Sequence, residues 1–260
     1  MIAPTDNRPP GRPTPAPPAD PTRADPTRAD ATRADATRAA LVRAALELFG
    51  RRGFDGTSTR QIAAAAGANI GSIAYHFGGK EGLRMAVADH IVDTVRAIAA
   101  QAMGDPDSRP EEAATPQAAQ ALLAAAVRHV VAFLVARPEA GEIVQFLLRE
   151  LSHPSATIDR IYAGVFEPTH KRLCAIWELA TGEPAESEGA KLAVFSLIGQ
   201  VVYFRIGREP VMRRMGWQAV GEAEAGKVAA VVTGNLDAML AARAGRRHPA
   251  GRGPATETTP

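Results

Sequence analysis

Four punctuation signals crowd the residues between 57 and 80, and together they restrict that stretch to short helices joined by tight turns. Ser58-Thr59-Arg60-Gln61 has the form of a capping box, in which the Ser58 hydroxyl accepts the Gln61 amide and the Gln61 side chain reaches back to Ser58. The helix so opened contains Ile62 and ends near Gly67, where a left-handed backbone carries no Cβ clash. Asn69 suits the cap of a third helix over residues 70–77, and Gly78-Gly79 breaks that helix before another begins near Lys80. Upstream, Leu41, Ala45, Leu48 and Phe49 recur at helical spacing from residue 37 to Gly53. A longer amphipathic helix followed by two short ones across a glycine turn is a helix-turn-helix pattern.

The rest of the chain reads as helix too. Its 260 residues are 46% hydrophobic but only 5% aromatic, so the apolar content is chiefly Ala, Leu and Val. No run alternates apolar and polar residues as a half-buried strand would. The fold expected is all-α, with helices over residues 117–136, 139–151, 156–181 (kinked at Pro168), 187–207 and 221–244, and a loop over 104–116. Uninterrupted apolar runs fall short of a membrane span, because residues 192–204 include Gln200 and precede Arg205. No membrane role is expected. Cys174 is the single cysteine, and no apolar leader precedes residue 37, so the cytoplasm is the expected location.

Charge is unevenly placed. Residues 37–102 hold eight basic against five acidic side chains, whereas residues 103–244 hold fourteen against seventeen. An anionic partner would therefore meet the first block. Residues 1–36 carry nine prolines within the first 26 positions and a PTRAD repeat, which predicts a disordered arm; residues 245–260 predict a disordered tail. Arg23, Arg28 and Arg33 could track a phosphate backbone, although each has an Asp two residues on.

The stretch AGANIGSIAYHFGGKEGL, residues 66–83, resembles the DNA-binding domain of the TetR/AcrR family of bacterial transcriptional regulators. The matching features are Thr57-Ser58, Ile62-Ala63, Ala66-Gly67, Gly71, His76-Phe77, Lys80 and Leu83. One position departs: Ala74 stands where the family commonly has Tyr, and a phenol follows at Tyr75. The order Tyr75-His76-Phe77-Gly78, with FLLRELSHPS, FEPTHKRLCAIW and LIGQVVYFRIGR downstream, is similar to a subgroup with a CerR-type C-terminal domain, over residues 37–240. The resemblance implies a DNA-binding domain at 37–83 and an effector-binding and dimerisation domain at 84–244. It also implies a homodimer on a palindromic double-stranded operator, with repression as the commoner output.

Residue chemistry agrees. Turning Ile73, Ala74 and Phe77 inward leaves Asn69, Ser72, Tyr75 and His76 outward. Asn69 and Ser72 can address base edges; the resemblance also puts Gly71 and Ile70 toward DNA, where Ile70 could meet a thymine methyl. Tyr75, His76 and Lys80, with Thr57, Ser58 and Arg60 at the second helix, suit phosphate oxygens. The 187–207 helix is apolar nearly all round, with Val194, Leu197, Val201 and Phe204 on one side. That side, with Val228, Val232, Leu236 and Met239 of the last helix, is the expected dimer interface; burial inside one protomer is the alternative.

Tyr162, Phe166, His170 and Trp177, joined by Phe133, Phe146 and Tyr203, either line an effector cavity or form plain core. Two further classes stand beside the ligand-released regulator. One is an architectural DNA-binding dimer with no effector. The other is a di-iron bundle enzyme using the Glu-x-x-His pairs Glu150/His153 and Glu167/His170, whose helical geometry Pro154 and Pro168 disturb. Nucleophile elbows, phosphate loops and dinucleotide fingerprints are absent, so neither catalysis nor a cofactor is expected.

Overall fold

The computed structural model describes residues 26–104, 115–152 and 155–244. The expected tail at 245–260, the first 25 residues of the arm with Arg23, and His153 lie outside the described residues. The chain divides into two units, Met1–Ala36 and Thr37–Pro260.

Among the described residues there are helices and no strand. They are α1 (Pro26–Arg52), α2 (Thr59–Ala65), α3 (Gly71–Phe77), α4 (Lys80–Met103), α5 (Pro116–Val131), α6 (Glu139–Leu151), α7 (Ala156–Ile161), α8 (Glu167–Thr181), α9 (Glu188–Ile206), α10 (Arg208–Met215) and α11 (Glu222–Ala244). Two differences from the sequence reading stand out. Residues 26–36 belong to α1 rather than to a disordered arm: after Pro26, which suits a first helical position, the repeat holds neither glycine nor proline. Helix α10, which follows α9 directly at Gly207, was missed because Pro210 lies within it, in its first turn.

The break expected at Pro168 falls earlier. Residues Tyr162–Phe166 form a single wide turn in which the Glu167 amide donates to the Tyr162 carbonyl, five residues back. Pro168 has no N–H for the Gly164 carbonyl, and Arg96 Nε of α4 donates to that oxygen instead, at 2.9 Å. Gly164 lies against Val92: a β-carbon there would come within 2.7 Å of a Val92 methyl, so α4 and this turn meet more closely than any larger residue permits.

Three apolar clusters organise the unit from Thr37 onward. The first joins Leu41, Ala45 and Phe49 of α1, Ile62 of α2, Ile73 of α3 and Leu83 and Val87 of α4 to Ile143 and Phe146 of α6 and Ile161 of α7. The helix-turn-helix head therefore shares its core with α6. The second cluster packs the end of α4 with α5, α8, α9 and the end of α11, and the third packs Val131 and Val135 with Val201, Val228 and Val232. Glu183 staples the second: it accepts from Trp177 Nε1 at 3.1 Å and Arg243 Nε at 3.0 Å. The Trp177 bond, despite opposing burial and with help from Arg243, holds its carboxyl below the usual range.

By length and composition two stretches, Pro116–Ala136 and Glu188–Ile206, are apolar enough to cross a membrane, with mean hydropathies of 1.8 and 1.3. Counting uninterrupted runs concealed this. Both pack within the helical bundle, yet only 28% of each window is buried, which leaves apolar helix faces uncovered.

Candidate DNA interface and regulatory domain

The capping box forms as expected. Ser58 Oγ accepts the Gln61 amide at 3.3 Å, and Gln61 Oε1 accepts the Ser58 amide at 2.8 Å. Gly67 and Gly78 take φ of +62° and +71°, conformations that a side chain rarely adopts. The cap position of α3 is Ile70 rather than the expected Asn69; Asn69 Oδ1 instead accepts the Gly71 amide at 2.8 Å, a side-chain turn that leads the chain into the helix. Apart from the Asn69 carboxamide oxygen, these local bonds use nothing on the outward face of α3.

That face presents Ile70, 49% exposed, and Tyr75, 82% exposed, with Asn69, Gly71 and Ala74 beside them. Ser72 and His76 are half-buried at its edges, and the Tyr75 and His76 rings meet edge to face at 4.9 Å. Inward, Ile73 is buried and Phe77 half-buried. Ala74 is exposed, contrary to the expected inward triad, because one helical turn presents only Ile73 and Phe77 to the core.

One expected contact, Thr57, has another duty, and Lys80 also rests on a ring of the head. Thr57 is buried, and its hydroxyl donates to the carbonyls of Gly53, at 2.8 Å, and Leu48, at 3.2 Å. It ties the α1–α2 loop to the end of α1 and is withdrawn from the DNA-contacting set. Thr57→Val is expected to cost about 1–2 kcal/mol in a denaturant titration, while base preference stays unchanged. Lys80 is half-buried, with Nζ 4.1 Å from the centre of the Phe54 ring. Ser58 and Arg60 are exposed as expected. Sequence reasoning missed Arg38 of α1, which is exposed and lies over the Phe77 ring at 5.4 Å. Its partner is 39 residues away in sequence, so only the basic character of the 37–102 block hinted at it.

The expected dimer face is corrected. Val194, Leu197, Val201, Val228, Val232 and Leu236 are all buried within this one chain, and Phe204 and Met239 are half-buried against the same clusters. What remains outward is the opposite face: Leu192, Phe195, Tyr203 and Ile206 of α9, each more than half exposed, and Val231 of α11. A helix apolar on every side has no periodic signal to say which side its own core takes.

The seven aromatics expected to line an effector cavity do not share one. Trp177 is fully buried on Glu183, and Phe146 and Phe166 pack with the head's core, as does Phe133. Tyr162 and Tyr203 are exposed. His170 stacks on Phe195 at 3.9 Å, with Nε2 3.3 Å from the Lys191 carbonyl. Among the described residues two cavities stand out, and of these seven residues only Tyr203 lines either of them. One of about 90 Å³ is walled by Val95, Ala99, Leu123, Val127, Leu173 and Leu197, among other apolar residues of α4, α5, α8 and α9. A groove of about 500 Å³ runs along Tyr203, Val211, Met215, Trp217 and Val231, with Arg214 and Lys227 at its sides.

The di-iron residues are likewise engaged. Glu150 is bonded to Arg84 and to Ser155 Oγ, and Glu167 to Lys171 at 2.7 Å. Among the described residues no group of His, Cys, Asp and Glu could hold a metal ion.

A small helical head with an exposed short helix, carried on a larger bundle with uncovered apolar faces, defines the class of helix-turn-helix transcription regulators. The family described as "Bacterial regulatory proteins, tetR family" matches residues 41–87, and the "HTH-type transcriptional dual regulator CecR, C-terminal domain" matches residues 119–243. The HTH-type transcriptional dual regulator CecR of Shigella flexneri is 32% identical over 199 residues, covering 75% of this chain and 87% of that protein. AibR, solved with isovaleryl coenzyme A and operator DNA, superposes with a TM-score of 0.56 at 20% identity, covering 76% of this chain and 97% of AibR. A TetR-like regulator from Rhodococcus sp. RHA1 gives 0.55 at 17% identity, covering 79% and 96%.

The chain belongs to the TetR family, with a C-terminal domain of the CecR type; the subgroup expected under the label CerR is this one. It is a DNA-binding transcriptional regulator and not an enzyme.

Proposed function

We propose that this regulator acts in the cytoplasm as a homodimeric repressor of a palindromic operator and that a small apolar molecule releases it. The observation that carries the DNA-reading part is Tyr75, an aromatic 82% exposed on α3 beside Ile70 in a head whose other large apolar side chains are buried or half-buried. Dimerisation is supported by the outward apolar face of α9 and α11, around Leu192, Phe195, Tyr203, Ile206 and Val231. One head addresses one half-site, and a two-fold dimer supplies the second.

The effector site is assigned to the apolar cavity among α4, α5, α8 and α9. Its walls carry no charged side chain, so the molecule it accepts is uncharged where it is buried. AibR, with its bound isovaleryl coenzyme A, supports an acyl-sized occupant. The effector must bind the DNA-free arrangement more tightly to cause release.

The test is titration of promoter fragments from its own locus at low ionic strength, with sedimentation to give the stoichiometry. One dimer per inverted repeat is expected, and no shift by folded, unliganded protein would end the reading. Tyr75→Phe, His76→Ala and Lys80→Ala should weaken binding to all sequences, and Lys80→Ala should lower the salt slope by about 1. Ser72→Ala should instead relax preference at particular bases. Asn69→Ala should do the same and also fray α3, since it removes the acceptor of the Gly71 amide.

A second reading, a DNA-binding dimer with no effector, is favoured by the size of the cavity: about 90 Å³ is below the ~300 Å³ at which ligand pockets begin. A thermal-shift screen separates the two. Stabilisation by an apolar compound that also releases DNA supports the effector reading, and its absence across a broad library supports the second.

A further inference from the structure

We propose that α6 is a strut that holds each DNA-reading head at a set angle to the dimer axis, making Arg205, Gly141, Arg149 and Glu150 determinants of the half-site spacing the protein accepts. The inference rests on the dimeric reading above.

Both ends of α6 are held by side chains that reach across. At its N-terminal end Arg205 of α9 donates from Nη2 to the Pro138 carbonyl at 3.3 Å. The same guanidinium lies against Gly141 so closely that a β-carbon there would overlap it. Among the described residues no carboxylate pairs with Arg205, so the carbonyl and the bare glycine surface are its anchors. Arg205 is half-buried and points to α6, while its neighbours Tyr203 and Ile206 on the same helix point outward.

At its C-terminal end α6 grips the head twice. Arg149 donates from Nε to the Gly50 carbonyl at 2.5 Å and from Nη2 to the Arg51 carbonyl at 2.7 Å, filling two of the acceptors left open where α1 ends. Glu150, buried, takes both arms of Arg84 of α4, Nε at 3.1 Å and Nη2 at 2.5 Å, and is steadied by Ser155 Oγ at 2.8 Å. Between the ends, Ile143 and Phe146 are buried in the head's core. Gly50 lets the helices cross closely, since a β-carbon there would sit 3.3 Å from Gln145 Cβ and from the Phe146 amide.

The geometry is that of a braced frame. Helix α4 already runs continuously from the head into the C-terminal bundle, but a head carried on one helix alone can swivel about it. A second attachment from α9 through α6 to α1 and α4 removes that freedom. Spacing discrimination needs that rigidity, because two recognition helices must meet the major groove one or more helical turns apart. The route starts on the flank of α9 that meets α6, on the same rigid helix whose other side carries Leu192, Phe195, Tyr203 and Ile206, and none of its four residues lines the apolar cavity, so it operates in the unliganded protein.

The test uses the full chain and a duplex recovered by selection from a random library, remade with its two half-sites moved apart or together by one to three base pairs. Wild type should prefer one spacing. Arg205→Ala and Gly141→Ala, which touch no head residue, should each reduce the ratio of best to next-best spacing by about fivefold or more. Single half-site affinity and dimer dissociation should stay at wild-type values. Gly141→Ala is the sharper probe: alanine favours the helix and its β-carbon meets only the movable end of Arg205, so a thermal midpoint at or above wild type together with a flattened spacing profile sets the effect apart from lost stability. Arg205→Lys should restore part of the ratio, since an ammonium can still reach the Pro138 carbonyl.

A wild-type spacing profile in both Arg205→Ala and Gly141→Ala, with dimer and palindrome binding intact, would overturn the strut. A wild-type protein that is monomeric, or that binds a lone half-site as tightly as the palindrome, would instead overturn the dimeric reading.

Discussion

Tyr75→Glu is expected to abolish specific DNA binding, with affinity for the operator falling by about two orders of magnitude or more at low salt. The side chain is 82% exposed and touches only His76, edge to face, so its replacement removes no core contact. Folding should be unaffected, and the thermal midpoint should stay within error of wild type. What changes is the sign of the surface that α3 brings to a polyanion: a neutral phenol able to donate to a phosphate becomes a carboxylate that repels it. Tyr75→Phe separates the two parts of this effect, since it loses the hydroxyl without adding charge and should cost far less. Raising salt should narrow the gap between Tyr75→Glu and wild type, because screening weakens repulsion and attraction together. Unchanged operator affinity in Tyr75→Glu would mean that α3 does not face DNA.

Glu150→Ala is expected to have the largest effect on stability, about 3 kcal/mol, or a fall of about 8 °C in thermal midpoint for a chain of this size. Glu150 is 5% exposed and Arg84 22%, and removing the carboxylate leaves a guanidinium partly buried with only the Phe54 ring beneath it, at 4.6 Å. The attraction between the two charges is not itself the source of the loss. A buried pair roughly balances its own desolvation, and what costs is the cation left behind. The double variant Arg84→Met, Glu150→Leu should therefore recover most of the stability, and a double-mutant cycle by urea denaturation reads the coupling directly. Additive losses would show that Arg84 rehydrates freely and that Glu150 is not its anchor.

Much of the head was legible because its signals are local. A capping box involves four consecutive residues, and a left-handed glycine depends on its own backbone, so Ser58, Gln61, Gly67 and Gly78 could be read without knowing what packs on them. The identity of α3 followed from the same punctuation and its outward Asn69 and Tyr75 from helical spacing, while the outward Ile70 was implied by the family resemblance. Thr57 escaped because it belongs to the same polar Thr-Ser pair as Ser58, yet its hydroxyl is spent on carbonyls of α1. Nothing in the identity of a threonine reveals which acceptors will surround it.

In the C-terminal bundle the helices were legible and their faces were not. The seven aromatics from Phe133 to Tyr203 were grouped by type and spacing, but they are divided among the head's core, the Glu183 staple and the surface. The cavity is walled instead mainly by Val, Ala, Leu and Ile, with Met103 and Thr169, a set whose types and spacing carry no signal in a chain this rich in aliphatic residues.

Sequence alone determined the turns of the head, the helical character of the described residues, and which short helix carries the exposed Tyr75, because caps, left-handed glycines and helical spacing act over a few adjacent residues. Tertiary structure alone decided which side of α9 and α11 is core, where a small molecule could lie, and that α6 is clamped by Arg205, Arg149 and Glu150. The reason is physical: a helix apolar all round can be buried on any side, and its orientation is chosen by the neighbours it meets from distant parts of the chain.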